Sequence, residues 1–328
     1  MLRKSYILFI LIAAIIYGVG VVVYKIPPYE LISYSRNILM PDTQNRTWRD
    51  PEKYIKSVST LDDLPDIDSN NMGYSFYVAG HTYGTPGVGS NGLYASFTDK
   101  FHLINEYKPM KFGFLLGDVV KEASNEAWRL VKKDLDSLDS RIKNIIVPGN
   151  HDVGYGAHNA KRDIFLQQFG KTFSSFEHEN DLFIMLDANI DGWNISGKQQ
   201  QFLNNILVNK RANINNIFIF SHQVIWQDDN KPEFAKIKPN SLEGRSSRVN
   251  FWSEVFPLFS SLDNDVYIFS GDVGAFPNGS EWFYTKYSNV TFAATGMGGG
   301  EGDNFLIVLV TEGRVKIFLV PINSKIYK

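Results

Sequence analysis

The chain has 328 residues, 44% of them hydrophobic and 14% aromatic, enough apolar surface to bury a sizeable core and too much for a disordered segment. Its 33 basic and 35 acidic residues are interspersed and sum to a formal charge of -2, so no polyanion-binding surface is indicated and nucleic acid is not an expected partner. Cysteine is absent, which excludes disulfides, thiolate metal sites and cysteine nucleophiles. Any metal chemistry must use His, Asn and carboxylates.

At the N-terminus, Arg3 and Lys4 precede an uncharged, mostly apolar stretch from Ser5 to Tyr24. That is close to the ~20 residues a helix needs to cross the hydrocarbon core. The stretch is longer than the ~7–15 apolar residues of a secretory signal and ends in Gly-Val-Gly-Val-Val-Val-Tyr, without an A-x-A-like cleavage site. An uncleaved anchor fits better than a cleaved signal peptide or a buried core helix. The two basic residues favour a cytoplasmic tail and an extracytoplasmic main domain, although Lys25 weakens the asymmetry. The expected organisation is a transmembrane signal anchor over residues 1–26, a juxtamembrane linker over 27–69 and one globular domain over 70–328.

Beyond the linker come short runs rich in β-branched and aromatic residues, at Tyr74 to Ala79, Phe112 to Leu116, Ile142 to Val147, Leu182 to Leu186, Ile217 to Phe220, Val266 to Phe269 and Val290 to Ala294. Their length and composition predict buried strands. Helical periodicity separates several of them. From Ser124 to Leu138, Ala127, Leu130, Val131 and Leu135 share a face, and from Ser196 to Val208 so do Phe202, Leu203, Ile206 and Leu207. Phe305 to Val310 and Val315 to Val320, joined by Thr311-Glu312-Gly313-Arg314, predict a hairpin. The alternation predicts an α/β sandwich with no internal repeat.

Several predicted strands end in polar residues: Gly117-Asp118, Gly149-Asn150-His151-Asp152, Ser221-His222 and Gly271-Asp272. Ligands of open α/β sheets bind at the carboxyl ends of the strands. One strand-end Asp or Asn is more often a cap than a ligand. Four such ends converging would offer carboxylate, imidazole and amide oxygen, a donor set that suits zinc, iron or manganese.

These residues resemble the calcineurin-like metallophosphoesterases, whose ordered signature is Asp-x-His, Gly-Asp, Gly-Asn-His-Asp/Glu, a strand-end His and Gly-His-x-His. Leu116-Gly117-Asp118, Pro148-Gly149-Asn150-His151-Asp152 and Phe220-Ser221-His222 match the middle blocks, and Leu186-Asp187-Ala188-Asn189 looks like the family's middle segment. The first block reads instead Gly80-His81-Thr82-Tyr83-Gly84, and the last Gly271-Asp272-Val273-Gly274. The resemblance implies a four-layer α/β/β/α sandwich. It implies that the positions of the first metal have become Gly80, Thr82 and Gly274, whereas those of the second, Asp118, Asn150, His222 and Asp272, can all still ligate. One divalent ion (Mn, Fe or Zn) per chain is therefore expected. By the same resemblance His151 would stabilise transition-state charge or protonate the leaving oxygen, and Asp152 would orient its ring; His81, adjacent to the vacated first-metal positions, reads as a substrate contact or stand-in for the missing metal, with a purely structural role as the equal alternative. Arg245 and Arg248 read as a solvated loop face rather than a phosphate grip, and Thr295 to Gly302 as a flexible turn. The expected function is hydrolysis of a phosphomonoester or phosphodiester outside the cytoplasm, on substrates such as an envelope glycan or lipid phosphate. The alternative is a catalytically inactive module of the same fold serving as a binding or scaffold protein in the cell envelope.

Overall fold

The computed structural model describes residues 55–66, 73–85, 92–210, 212–276 and 279–323, all within the compact unit Asp50–Lys328. The predicted anchor, residues 1–26, lies outside the described residues, as does most of the predicted linker. Among the described residues no helix is long and apolar enough to cross a membrane.

Among the described residues, twelve strands form two six-stranded mixed sheets. The first contains β1 (Ile55–Ser57), β2 (Gly73–Gly80), β3 (Met110–Leu116), β4 (Lys143–Val147), β11 (Asn304–Thr311) and β12 (Arg314–Pro321), in the order β1-β12-β11-β2-β3-β4. The second contains β5 (Ser174–His178), β6 (Asp181–Met185), β7 (Asn216–Ser221), β8 (Asp265–Ser270), β9 (Trp282–Tyr287) and β10 (Val290–Thr295), in the order β5-β6-β7-β8-β10-β9. β2, β3 and β4 run parallel, as do β6, β7, β8 and β10. Their carboxyl ends therefore carry the loops that the sequence marks as polar.

Side-chain alternation explains the layering. In β2, Tyr74, Phe76 and Val78 enter the core between the sheets, while Tyr77 and Ala79 face the helices Phe101–Glu106 and Asn125–Leu135. In β7, Phe218 and Phe220 enter the same inter-sheet core and Ile217 and Ile219 face helix Gly197–Asn209. Strands buried on both faces read as continuous apolar runs, which is why they are visible in the sequence. The inter-sheet core is largely phenylalanine: Phe114 stacks on Phe220 with centroids 3.9 Å apart and lies parallel to Phe183 at 5.7 Å. Flat rings let two twisted sheets approach without voids.

Helix Asn125–Leu135 starts where Ser124 accepts a hydrogen bond from the Ala127 amide at 3.1 Å and ends in Lys132 and Lys133, charges that suit the helix dipole. Its buried anchors are Trp128 and Val131; Trp128, left out of the predicted face, shares i, i+3, i+7 spacing with Val131 and Leu135 and packs in the same cluster. The hairpin turn places Glu312 and Gly313 at φ 51° and 72°, the left-handed pair that matches strand twist.

One expectation is corrected at the boundary of the domain. Ile55–Ser57, expected in the linker, forms β1 parallel to β12, and the Val58 amide donates to the Leu319 carbonyl at 2.9 Å. Ile55, Val58 and Leu64 are buried, so the sheet begins upstream of residue 70. Three residues are too few to show strand periodicity. The edge strands β5 and β9 also escape sequence reading, because Ser174–His178 is largely polar and Trp282–Tyr287 is only partly covered.

The aromatic layer yields a first test. Phe220→Ala should lower unfolding stability by about 3–5 kcal/mol in denaturant titrations, through lost transfer energy and the cavity left behind. A loss below about 1 kcal/mol would contradict the packing described.

Candidate metal centre

The site grows out of two strand ends, one from each sheet. After β3 the chain turns through Gly117 (φ 72°) and Asp118 (φ 49°). A left-handed pair reverses the backbone at once, and at the first position only glycine avoids strain and contact, since a Cβ there would meet the His222 ring at 2.5 Å. After β7 comes His222, fully buried, whose Nδ1–H donates to the Leu116 carbonyl at 2.7 Å. That bond occupies Nδ1 and leaves Nε2 as the inward-facing nitrogen, the position that carries either a proton or a cation.

Nε2 of His222 lies 3.3 Å from Asp118 Oδ2 and 3.9 Å from Asp272 Oδ1, and His81 Nε2 lies 3.8 Å from the same Asp118 oxygen. Asp272 is brought in because the amides of Gly271 and Asp272 both donate to the His222 carbonyl, at 2.9 and 3.0 Å. Asn150 is half-buried as the first residue of the short helix Asn150–Val153, one position past Gly149, where a Cβ would meet Asp118 Oδ1 at 2.3 Å. Asp118 Oδ1 also accepts the His151 amide at 3.0 Å. The structure thus gathers Asp118, His222, Asp272 and His81 by their side chains, and brings Asn150 and His151 alongside on their loop.

Two observations bear on a cation. His222 Nε2 is buried and meets Asp118 and Asp272 only at 3.3 and 3.9 Å, without a hydrogen bond of good geometry, so a cation between these groups would complete the contact. Its 3.3 Å distance from Asp118 Oδ2 matches the spacing of two donors bound at about 2.0–2.2 Å on one tetrahedral ion. Imidazole, carboxylates and an amide fit such an ion. Among the described residues no group of three or more His, Asp or Glu stands in full ligand geometry for a metal. The 3.9 Å gap to Asp272 would have to close by several tenths of an ångström.

Electrostatics follow from burial. Burial alone would push the His222 ring down, but Asp118, with its hydrogen bond, and Asp272 outweigh it and raise the ring to about 10. Burial opposes ionisation of Asp118 too, yet His222, His81 and His151 hold it well below the usual carboxylate range. Burial lifts Asp272 to about 7, and burial with the Asp118 charge lifts Asp152 to about 7. Burial pushes His81 down to about 4 against the pull of Asp118.

Other expected roles change. Asp152 does not orient the His151 ring: its Oδ1 accepts the Val119 and Val120 amides at 3.0 and 3.1 Å and its Oδ2 the Gly149 amide at 2.8 Å. It splices the loop after β3 to the loop after β4. The Lys121 carbonyl takes the His151 Nδ1–H at 2.5 Å. Arg245 donates to the Gln227 carbonyl at 2.9 Å and lies over the Trp193 ring, 5.5 Å from its centroid, and Arg248 is exposed. In the Gly-rich turn, the amides of Gly298, Gly299 and Gly300 point at the Asp303 carboxylate, at 2.8 to 3.2 Å. Sequence reading gave no role to Tyr83, whose ring lies 4.3 Å from His81 and 5.2 Å from His151, or to Asn189 and Gln223, which are hydrogen-bonded to each other beside the site. The pair Asp187 and Asn189 carried the same signal as the candidate ligands, polar residues at a strand's carboxyl end.

No family model matches the sequence. A curated relative, the serine/threonine-protein phosphatase CPPED1 of Pongo abelii, is 31% identical over 91 residues, 26% of this chain and 29% of that protein. Among solved structures, the purple acid phosphatase PPD1 of yellow lupin (Lupinus luteus) matches with a TM-score of 0.53 at 13% identity, over 80% of this chain and 58% of that one. A protein of Streptococcus pneumoniae TIGR4 described as a predicted phosphoesterase aligns over 78% of this chain and 94% of its own at 8% identity, with a TM-score of 0.34. The chain therefore spans less than two thirds of the curated relative and of the lupin phosphatase that it matches.

The charge arrangement predicts a pH dependence for chelator-treated protein. His222 keeps its proton in the folded state to about 10, whereas an unfolded imidazole loses it near 6.5. Its stabilising contribution is complete below about pH 6.5 and is lost as pH rises through about 10. The melting midpoint of the metal-free protein should fall between pH 7 and pH 10; a rise across that interval would contradict the arrangement.

Proposed function

We propose that this chain, built on the calcineurin-like metallophosphoesterase fold, is a metal-dependent phosphoric ester hydrolase with a single-ion centre. The observation that carries the reading is the fully buried His222, whose Nε2 faces the Asp118 and Asp272 carboxylates at 3.3 and 3.9 Å at the meeting point of two sheets. Asp118, Asn150, His222 and Asp272 would hold a divalent ion, with Mn, Fe or Zn all compatible with the donor set. Such an ion would polarise a phosphoryl oxygen and lower the pKa of a bound water.

The chain's own groups have assignable parts. Asp118 is pinned by the His151 amide and shared between His222 and His81, which fixes its carboxylate before any substrate arrives. His151 is tethered through Nδ1 to the Lys121 carbonyl, so its other nitrogen is the one available to stabilise charge or hand a proton to the leaving oxygen. Asp152 holds the two loops together. The packing of Gly80 and Gly274 supports one ion rather than two. A Cβ at Gly80 would meet the Thr295 carbonyl at 2.2 Å and Gly271 Cα at 2.4 Å, and one at Gly274 would meet Gly296 at 2.7 Å. Backbone fills the space that ligand side chains would need there. His81, buried against Asp118, stands on that closed side as the substitute partner for the carboxylate.

The Ser5–Tyr24 stretch supports placing the enzyme on a membrane with its main domain outside the cytoplasm. Phosphorylated envelope glycans or lipid phosphates are then within reach as substrates.

The chemistry is tested with p-nitrophenyl phosphate and bis(p-nitrophenyl) phosphate on protein loaded with Mn²⁺, Fe²⁺ or Zn²⁺. Turnover should require metal, and His151→Ala should lower kcat by about 10²- to 10⁴-fold while metal content stays unchanged. Full metal occupancy without turnover of either ester would overturn the hydrolase reading in favour of a binding or scaffold module.

A further inference from the structure

The two sheets approach at the candidate centre through loops of different origin, Asn150 and His151 following β4 of the first sheet and His222 following β7 of the second. A chain of buried polar groups runs between these loops. Asn189, after β6, is 2% exposed. Its Nδ2–H donates to the Pro148 carbonyl at 3.1 Å, immediately before the Gly149-Asn150-His151 loop. Its Oδ1 accepts from Gln223 Nε2, on the residue after His222. The orientation of both amides is dictated by the far end: a proline carbonyl can only accept, so Asn189 must present its NH₂ there and its oxygen to Gln223, which must present its own NH₂.

Asn189 is itself braced from behind. Its backbone N–H and Nδ2–H both reach Asp187 Oδ1, at 3.0 and 3.1 Å, and its carbonyl accepts the Gly156 amide at 2.8 Å. Asp187 pairs with the buried Arg162, and Arg162 Nε donates to the Gly156 carbonyl at 2.9 Å. Gln199 clamps the Asp187 backbone from the helix side, accepting its N–H at 2.7 Å and donating to its carbonyl at 3.0 Å. A buried pair of this kind is often no better for stability than apolar residues of equal size. In the same inter-sheet region the sheets are joined by stacked phenylalanines. Buried polar bonds also occur at the opposite strand ends, between Tyr74 and Asp181, but the chain at the site end joins the residue before the Gly149-Asn150-His151 loop to the residue after His222, and directional bonds set such a separation where apolar packing would let it drift.

We infer that Asn189, coupled through Gln223, is a positioning residue that sets the spacing between the Asn150-bearing and His222-bearing loops and thereby the affinity of the centre for its cation. This rests on the single-ion reading above. Partners that orient metal ligands from behind typically change affinity by about 10- to 100-fold when removed.

The test measures Mn²⁺ dissociation constants by calorimetry on the full chain in detergent, together with apo melting midpoints. The proteins compared are the wild type, Asn189→Leu, Gln223→Met, the double variant, and Tyr74→Phe as a control. Tyr74 donates to Asp181 at 2.6 Å at the opposite strand ends, so its loss breaks a buried hydrogen bond far from the centre. Asn189→Leu and Gln223→Met should each weaken Mn²⁺ by about 10- to 100-fold, the double variant by no more than the stronger single change, and Tyr74→Phe should lower only the melting midpoint. Wild-type affinity in folded Asn189→Leu and Gln223→Met proteins, with lowered midpoints alone, would overturn the inference. Should Asn189→Leu fail to fold, Gln223→Met decides by the same criterion. A wild type that binds no Mn²⁺ would overturn the single-ion reading and this inference with it, a result distinct from intact binding in the variants.

Discussion

The 2.7 Å hydrogen bond from His222 Nδ1 to the Leu116 carbonyl crosses from the second sheet to the first, and most of the candidate centre is organised by it. It forces the ring's other nitrogen toward Asp118, the residue after Gly117 at the same turn. It also requires the two parallel strand sets to end level with one another, where Phe114 of the first sheet stacks on Phe220 of the second with centroids 3.9 Å apart. The left-handed turn at Gly117-Asp118 and the double amide grip of the His222 carbonyl on Gly271 and Asp272 then complete the ring of donors.

The energetic difficulty of this arrangement is charge. Asp118, Asp152 and Asp272 are all buried, and only Asp152 has both oxygens engaged by backbone amides. Burial raises Asp152 and Asp272 while His222 takes up a proton to balance Asp118. A cluster that must borrow protons to neutralise itself is one that a divalent cation relieves, since metal binding displaces protons from its ligands. In the proposed single-ion centre, Gly80 and Gly274 would limit that relief to one side, because the backbones of Gly271, Thr295 and Gly296 occupy the room beside them.

Much of this was legible in the amino-acid sequence, for identifiable reasons. The inner strands are buried on both faces and stand out as apolar runs, and a polar residue at a strand's carboxyl end is a visible departure from them; Asp118, His222 and Asp272 were found that way and do converge. β1, β5 and β9 were not legible, being short, polar or half-exposed edges whose pairing depends on partners distant in sequence. Asp152 was misread because a carboxylate next to a histidine suggests a pair, whereas the helical turn at Asn150–Val153 directs it back to three amides. The His151 tether lies on the Lys121 carbonyl, and backbone acceptors have no sequence signature. The Asn189–Gln223 link joins residues 34 apart whose proximity arises only from neighbouring parallel strands.

The central claim is a one-ion centre built from both sheets, and elemental mass spectrometry of metal per chain addresses it most directly. Protein purified without chelator and reloaded with manganese, iron and zinc in turn should carry one ion, lost in both Asp118→Ala and Asp272→Ala. Two ions per chain, or none after reloading, would contradict the account.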